Sequence, residues 1–320
     1  MDIVISTLTS PVILFFILGM LAAFARSDLA IPEAIAKGLS LYLMAAIGLK
    51  GGVAVSESGF TPELALAAAA GLALSFVIPY FAYVLLTGFG KLDRVNAGAV
   101  SAHYGSVSVV TFVTASEIFT GQSMGPAGYM VAVLALMETP AIISGLMLAR
   151  CGEKRDDNGN GGGLMHEVLL NASVVLLMGS FFIGLIAGPT GFEPIAPLFL
   201  VPFTGVLCFF LLDMGLVAAR RLVEAKAMTF RLTTLGILFP IVNGTIGTVL
   251  GTMIGLDVGS AAALGVLAAS ASYIAVPAAM RMALPEADPG LYLSMSLGVT
   301  FPFNIIFGIP LFAALAQAIG

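Results

Sequence analysis

Two stretches of this chain put hydroxyl groups where a lipid-facing helix would carry leucine and isoleucine. The first is Ser101-Ala102-His103-Tyr104-Gly105-Ser106-Val107-Ser108-Val109-Val110-Thr111. The second is Ser270-Ala271-Ser272-Tyr273-Ile274-Ala275-Val276-Pro277. Each lies midway along an apolar segment long enough to cross a bilayer. A backbone in hydrocarbon must pair its own N–H and C=O groups, so a helix broken there is tolerated only where it lines a polar cavity. The broken ends carry complementary chemistry. N-terminal ends offer N–H donors and the positive end of the helix dipole to a small anion. Carbonyls freed at C-terminal ends, completed by Ser and Thr hydroxyls, suit a hard cation such as Na+. The anion is expected against His103, Tyr104, Gly105, Ser106, Val107, Ala271, Ser272, Tyr273 and Ile274. The Na+ ligands are expected among Ser106, Ser108, Glu138, Ser270 and Ser272. Small residues also let helices pack closely, which is the alternative for either stretch taken alone.

Glu138 is the carboxylate deep inside a predicted span. An acid there is costly and is a functional candidate by default. It is suited to ligating Na+ or carrying a proton; the alternative is an acid tied to backbone groups that Pro140 frees. Asn304 lies near the corresponding place in the second half of the chain. His103 is either a donor to the anion, a proton site or a structural donor to a neighbouring helix. Tyr273 either lines the site or plugs it. Asp213 and Lys50 sit near segment ends and read as interfacial or snorkelling side chains.

The elements that must position these residues are membrane spans. Of 320 residues, 59% are hydrophobic and 10% charged, against roughly 25% charged in a soluble domain. The mean hydropathy is +1.07. The fold class predicted is all-α integral membrane. Ten apolar segments cover about 11–25, 31–52, 61–87, 95–119, 126–149, 164–188, 195–219, 232–254, 259–284 and 291–319. The charged, glycine-rich run 151–163 divides them as a flexible cytoplasmic linker, leaving 1–150 and 164–320 as half-chains. The halves echo each other. Aligned on Val110 and Val276, Ser106 falls on Ser272. Pro126-Ala127-Gly128-Tyr129 before Glu138-Thr139-Pro140 answers Pro289-Gly290-Leu291-Tyr292 before Thr300-Phe301-Pro302. Five spans is an odd number, so the second half must be inverted, with broken fourth and ninth helices crossing at mid-depth. With both termini outside, twelve of the thirteen Lys and Arg residues fall at the cytoplasmic side and Lys50 alone lies opposite, a positive-inside pattern.

Other function classes find little support. No basic block suggests nucleic acid. Cys151 and Cys208 form neither a disulfide framework nor a metal cluster. Walker, dinucleotide-binding, nucleophile-elbow and His-Glu-x-x-His signatures are absent. Without a nucleotide site, transport must draw on an ion gradient or run downhill. The alternatives are a passive anion channel, a Na+-coupled carrier of a different small organic anion, and an intramembrane enzyme or receptor that would pair His103 with Glu138.

Several motifs carry a family resemblance: Ile31-Pro32-Glu33-Ala34-Ile35, Ile47-Gly48-Leu49-Lys50-Gly51-Gly52, Glu138-Thr139-Pro140-Ala141, the 270–277 stretch and the ending from Ile309-Pro310-Leu311-Phe312 to Gly320. From about Ile31 onward the chain resembles the sodium-dependent bicarbonate transporters of cyanobacteria and their bacterial relatives. The resemblance implies a Na+-coupled bicarbonate symporter in the bacterial inner membrane. Helices 1, 2, 6 and 7 would form a gate or scaffold domain, and helices 3–5 and 8–10 a core domain that moves as an elevator. It further implies a homotrimer and a cytoplasmic PII-like regulator. The chain departs from cyanobacterial members in three places: Tyr273 and Glu138 stand where they carry Asp, and Gly105-Ser106-Val107-Ser108 replaces roughly Ser-Gly-Ser-Thr. Its central loop is also much shorter.

Overall fold

The computed structural model describes residues 2–59, 61–150, 172–224 and 228–320, and the described residues form helices and connecting turns without strands. The linker expected over 151–163 lies outside the described residues. In chain order the helices are α1 (Asp2–Leu8), α2 (Pro11–Phe24), α3 (Glu33–Ser58), α4 (Pro62–Gly88), α5 (Arg94–Gly105), α6 (Val109–Gly121), α7 (Met130–Glu138) and α8 (Pro140–Ala149). After the linker come α9 (Ala172–Phe192), α10 (Ala196–Leu200), α11 (Phe203–Glu224), α12 (Phe230–Met253), α13 (Val258–Ala269), α14 (Ala275–Ala283) and α15 (Pro289–Ile319).

Among the described residues seven helical stretches are long and apolar enough to cross a membrane: α3, α4, α7 with α8, α9, α10 with α11, α12 and α15. The first, fourth and ninth expected segments are the ones that fall short: the first is the single short helix α2, and the fourth and ninth are divided. Ser10 caps Ile13 N ahead of Pro11, so α1 and α2 are separate helices. The fourth segment breaks after Gly105 into α5 and α6, and the ninth after Ala269 into α13 and α14. The fifth kinks at Thr139, because Pro140 lacks an N–H for the helix ladder. The tenth relaxes into π-helix over Ser294–Thr300 and Asn304–Gly308, stretches flanking Pro302 and Pro310.

The turns feeding the two broken helices are built alike. Lys91 and Gly255 both adopt positive φ. Two residues later, Asp93 accepts from Asn96 N and Asp257 accepts from Ser260 N. Each carboxylate satisfies an orphan donor and favours the helix N-terminus.

Packing is closest where side chains are smallest. α3 lies along α9: a Cβ at Gly52 would come within 1.9 Å of the Phe181 carbonyl oxygen. α2 lies along α11 in the same way, with Gly19 against the Leu212 carbonyl at 2.1 Å. Without a hydrophobic drive between helices in lipid, such backbone approach supplies the packing energy. α5 is wedged between α4 and α8, and α13 lies against α12 and the end of α15. Both broken helices are thereby enclosed by other helices.

Candidate functional site

The two breaks meet. The first spans residues 106–108 and the second 270–274. Ser272 N donates to the His103 carbonyl at 2.9 Å, and His103 Nδ1 lies 2.5 Å from the Ser272 carbonyl. A carbonyl only accepts, so Nδ1 carries the proton there. Ser108 N donates to Ser270 Oγ at 3.0 Å. One backbone N–H of each break is thus satisfied across the crossing, as hydrocarbon surroundings favour.

The breaks are not equal in length. Ser106 and Ser270 each end a helix with nearly the same extended backbone, φ −88°, ψ 168° and φ −77°, ψ 161°. Ser106 thus corresponds structurally to Ser270, not to Ser272. The alignment through Val110 and Val276 holds only after the breaks, because the second contains two more residues.

Ser106, Ser270 and Ser272 bind backbone in ways that leave an oxygen lone pair, whereas Ser108 Oγ accepts from both the N–H and the hydroxyl of Thr111. Ser106 Oγ donates to the Glu138 carbonyl at 3.1 Å. Ser270 Oγ donates to the Leu267 carbonyl at 2.8 Å. Ser108 Oγ caps α6, accepting from Thr111 N at 3.2 Å and lying 2.9 Å from Thr111 Oγ1. Ser272 Oγ accepts from Val276 N at a long 3.5 Å.

Glu138 stands beside them, 3% exposed, at the kink between α7 and α8. Its Oε2 has no hydrogen-bond partner. No hydrogen bond joins it to His103, so the acid–base pair that an intramembrane enzyme would need is not formed. Ser75 of α4, which sequence reasoning passed over, donates to the Met137 carbonyl at 2.7 Å. Ser75 and Ser106 together hold the kinked backbone that aims Glu138. The signal for Ser75 was faint: one serine in an Ala- and Leu-rich helix, one turn before Pro79.

Glu138, Val107, Ser108, Ser272, Tyr273 and Ile274 surround a narrow cavity of about 10 Å³, the size of a single small ion or water. Tyr273 packs edge-on to Phe301, ring centroids 5.1 Å apart. Its hydroxyl approaches Ser108 without completing a hydrogen bond. Ile274 is 41% exposed and forms the open side. Ala271 is buried.

Two expected contact residues face elsewhere. The Tyr104 hydroxyl meets Thr300 Oγ1 at 2.7 Å and its ring packs on Phe239, so it ties α5 to α12 and α15. Gly105 is a packing residue: a Cβ there would lie 2.3 Å from Pro79 Cγ. His103 stacks on Tyr292 at 4.7 Å, and its buried Nε2 has no partner. Asn304 donates to the Ala269 carbonyl at 2.8 Å, holding the end of α13.

Among the described residues no cluster of three or more His, Cys, Asp or Glu could hold a metal. What the breaks collect instead is hydroxyl and carbonyl oxygen around one carboxylate, the donor set of a hard monovalent cation. Comparison with curated proteins finds no match. Comparison with protein-family profiles matches residues 11–317, nearly the whole chain. That match, with the seven apolar helices, marks a multi-pass membrane protein and not an enzyme: the chain belongs to the Na+-dependent bicarbonate transporter superfamily.

Proposed function

We propose that the protein is a secondary active transporter that couples inward movement of bicarbonate, or a similar small anion, to Na+ by alternating access. The observation that carries this reading is the joined pair of helix breaks with Glu138 beside them. Na+ binds among the oxygens of Ser106, Ser108, Ser270 and Ser272, next to the Glu138 carboxylate. The anion follows, meeting the N-terminal ends of α6 and α14 beside the bound cation. Each ion lowers the electrostatic cost of the other, so their affinities are coupled reciprocally. The burial of both breaks favours an occluding carrier over an open channel.

The packing supports an inverted repeat of five spans, 1–150 against 164–320. The α2–α11 contact pairs the first span with the seventh, and the α3–α9 contact pairs the second with the sixth; an inversion exchanges these two pairs. α5 against α4 and α8 is likewise matched by α13 against α12 and the end of α15. On this reading α2, α3, α9 and α11 form the scaffold, and the remaining spans form a core that slides as an elevator. The termini face outward across the bacterial inner membrane, consistent with the distribution of Lys and Arg. Assembly as a homotrimer and control by a PII-like protein rest on the family resemblance alone.

Uptake of labelled bicarbonate into proteoliposomes, with and without an inward Na+ gradient, tests the proposal. Accumulation that requires the gradient is expected. Uptake indifferent to Na+ removes the coupling, and no uptake at all removes bicarbonate as the substrate.

A further inference from the structure

A second and larger cavity lies away from the breaks, between α3 and α11 on one side and α6 and α7 on the other. Its volume is about 180 Å³, and Lys50, Ser116, Glu117, Gly128 and Phe203 line it. Lys50 packs its cationic end on an aromatic ring of α11. Its ammonium sits over the Phe203 ring, 4.7 Å from the centroid, and the side chain is half-buried. Among the described residues no carboxylate pairs with it. The neighbouring carboxylate, Glu117, accepts a hydrogen bond from the Thr204 hydroxyl. Ser116 is 7% exposed, and its Oγ has no hydrogen-bond partner.

An ammonium only half in water and not ion-paired is costly to keep, and so is a buried hydroxyl without a partner. One small oxyanion would answer both, accepting from Lys50 Nζ and Ser116 Oγ while the aromatic face holds the ammonium from behind. Glu117 keeps the cavity close to neutral, so an anion would be held without being trapped, as a conduction route requires. The cavity shares helix α6 with the first break. Ser116 and Ser108 stand on the same helix, α6 and its cap, roughly 12 Å apart along the axis at 1.5 Å per residue.

We propose that this cavity is a staging site for the transported anion, with Lys50 as its cationic pole and Ser116 as a second donor. The inference rests on the transporter reading above and adds a second stop on the anion's route.

Initial rates of labelled-bicarbonate uptake at saturating Na+ test it, using Lys50→Met, Lys50→Arg and Ser116→Ala in proteoliposomes. Lys50→Met is expected to raise KM for bicarbonate about tenfold with the maximal rate within about twofold of wild type, the signature of lost binding. Ser116→Ala is expected to raise it about threefold, and Lys50→Arg to keep it within about twofold, since charge and donors remain. An unchanged KM in folded Lys50→Met overturns the site. A fall in maximal rate at constant KM also overturns it, because Lys50 would then act in the moving contacts. If Lys50→Met does not fold, an unchanged KM in Ser116→Ala is decisive against the proposal. Wild-type protein that shows no Na+-dependent uptake refutes the transporter reading and this inference together. A normal wild type with unmoved KM in the variants refutes this inference alone.

Discussion

The first break spans three residues and is sealed; the second spans five and opens at Ile274. In the first, the returning helix α6 is capped by Ser108, whose N–H is in turn committed to Ser270. In the second, Ile274 at the N-cap position supplies no side-chain cap to the returning helix α14, which begins at Ala275. Its leading donors are engaged only by a long contact from Val276 N to Ser272 Oγ, at 3.5 Å. The first break is thus an oxygen-rich wall fixed from both sides. The second keeps helix N–H groups available next to a side chain that is partly exposed. An anion would find donors at the second break, and a cation would find oxygens where the two touch. The kinks in α7–α8 and α15 repeat the asymmetry: Glu138 is an ionisable carboxyl, whereas Asn304 is an amide that holds the Ala269 carbonyl.

The sharpest way to break this comparison is to fill either break. Ser106→Leu and Ser272→Leu each put a bulky side chain into a buried gap, and each is expected to cut uptake at least about 100-fold, some 2.7 kcal/mol of barrier. The overpacking should cost about 1–3 kcal/mol of stability, so folded protein is expected. Normal uptake by both variants, measured in liposomes beside a folding control by gel filtration, would remove the breaks from the transport path.

Charge asymmetry is tested by Glu138→Gln, which keeps shape and deletes the carboxylate. The Na+ concentration for half-maximal uptake should rise roughly tenfold, about 1.4 kcal/mol. Asn304→Asp, made in the same background, should not restore it, since Asn304 faces the end of α13. An unchanged Na+ dependence in Glu138→Gln would move the cation away from that carboxylate.

The smallest effect concerns the caps. Ser108→Ala removes the hydroxyl that accepts from Thr111 N and should cost about 1 kcal/mol. Ile274→Ser supplies the cap that α14 lacks and should cost nothing or add stability. Thermal unfolding in detergent separates the two. If Ile274→Ser melts below Ser108→Ala, the contrast in how the helices restart is wrong.

Much of the architecture was legible from residue order alone. Apolar runs of span length gave the helices, since the bilayer fixes how many residues a crossing needs. Hydroxyl, Gly and Pro residues inside such runs marked the broken segments, because hydrocarbon offers no other partner for freed backbone. Glu138 was legible as a candidate for the same reason: a carboxylate in mid-span is costly, and the structure buries it beside the breaks. Less visible was the register between halves. Ser106 seemed to answer Ser272 in one dimension, but helix ends in space pair it with Ser270.

What the sequence by itself determined was an all-helical membrane protein interrupted at residues 101–111 and 270–277, with one acid buried between them. What only the tertiary structure decided was which atoms those interruptions bring together. Tyr104 and Gly105 sit within the motif yet turn to packing, while Ser75 and Ser116, which no motif marks, face a kinked backbone and a cavity. Lys50 read as an interfacial charge, and only the approach of α11 showed that Phe203 lies beneath it. The physical reason is direction. Spacing along a helix fixes which residues share a face, but the neighbour that face meets is set by close backbone contacts, such as Gly52 on Phe181, made by residues far away in the chain.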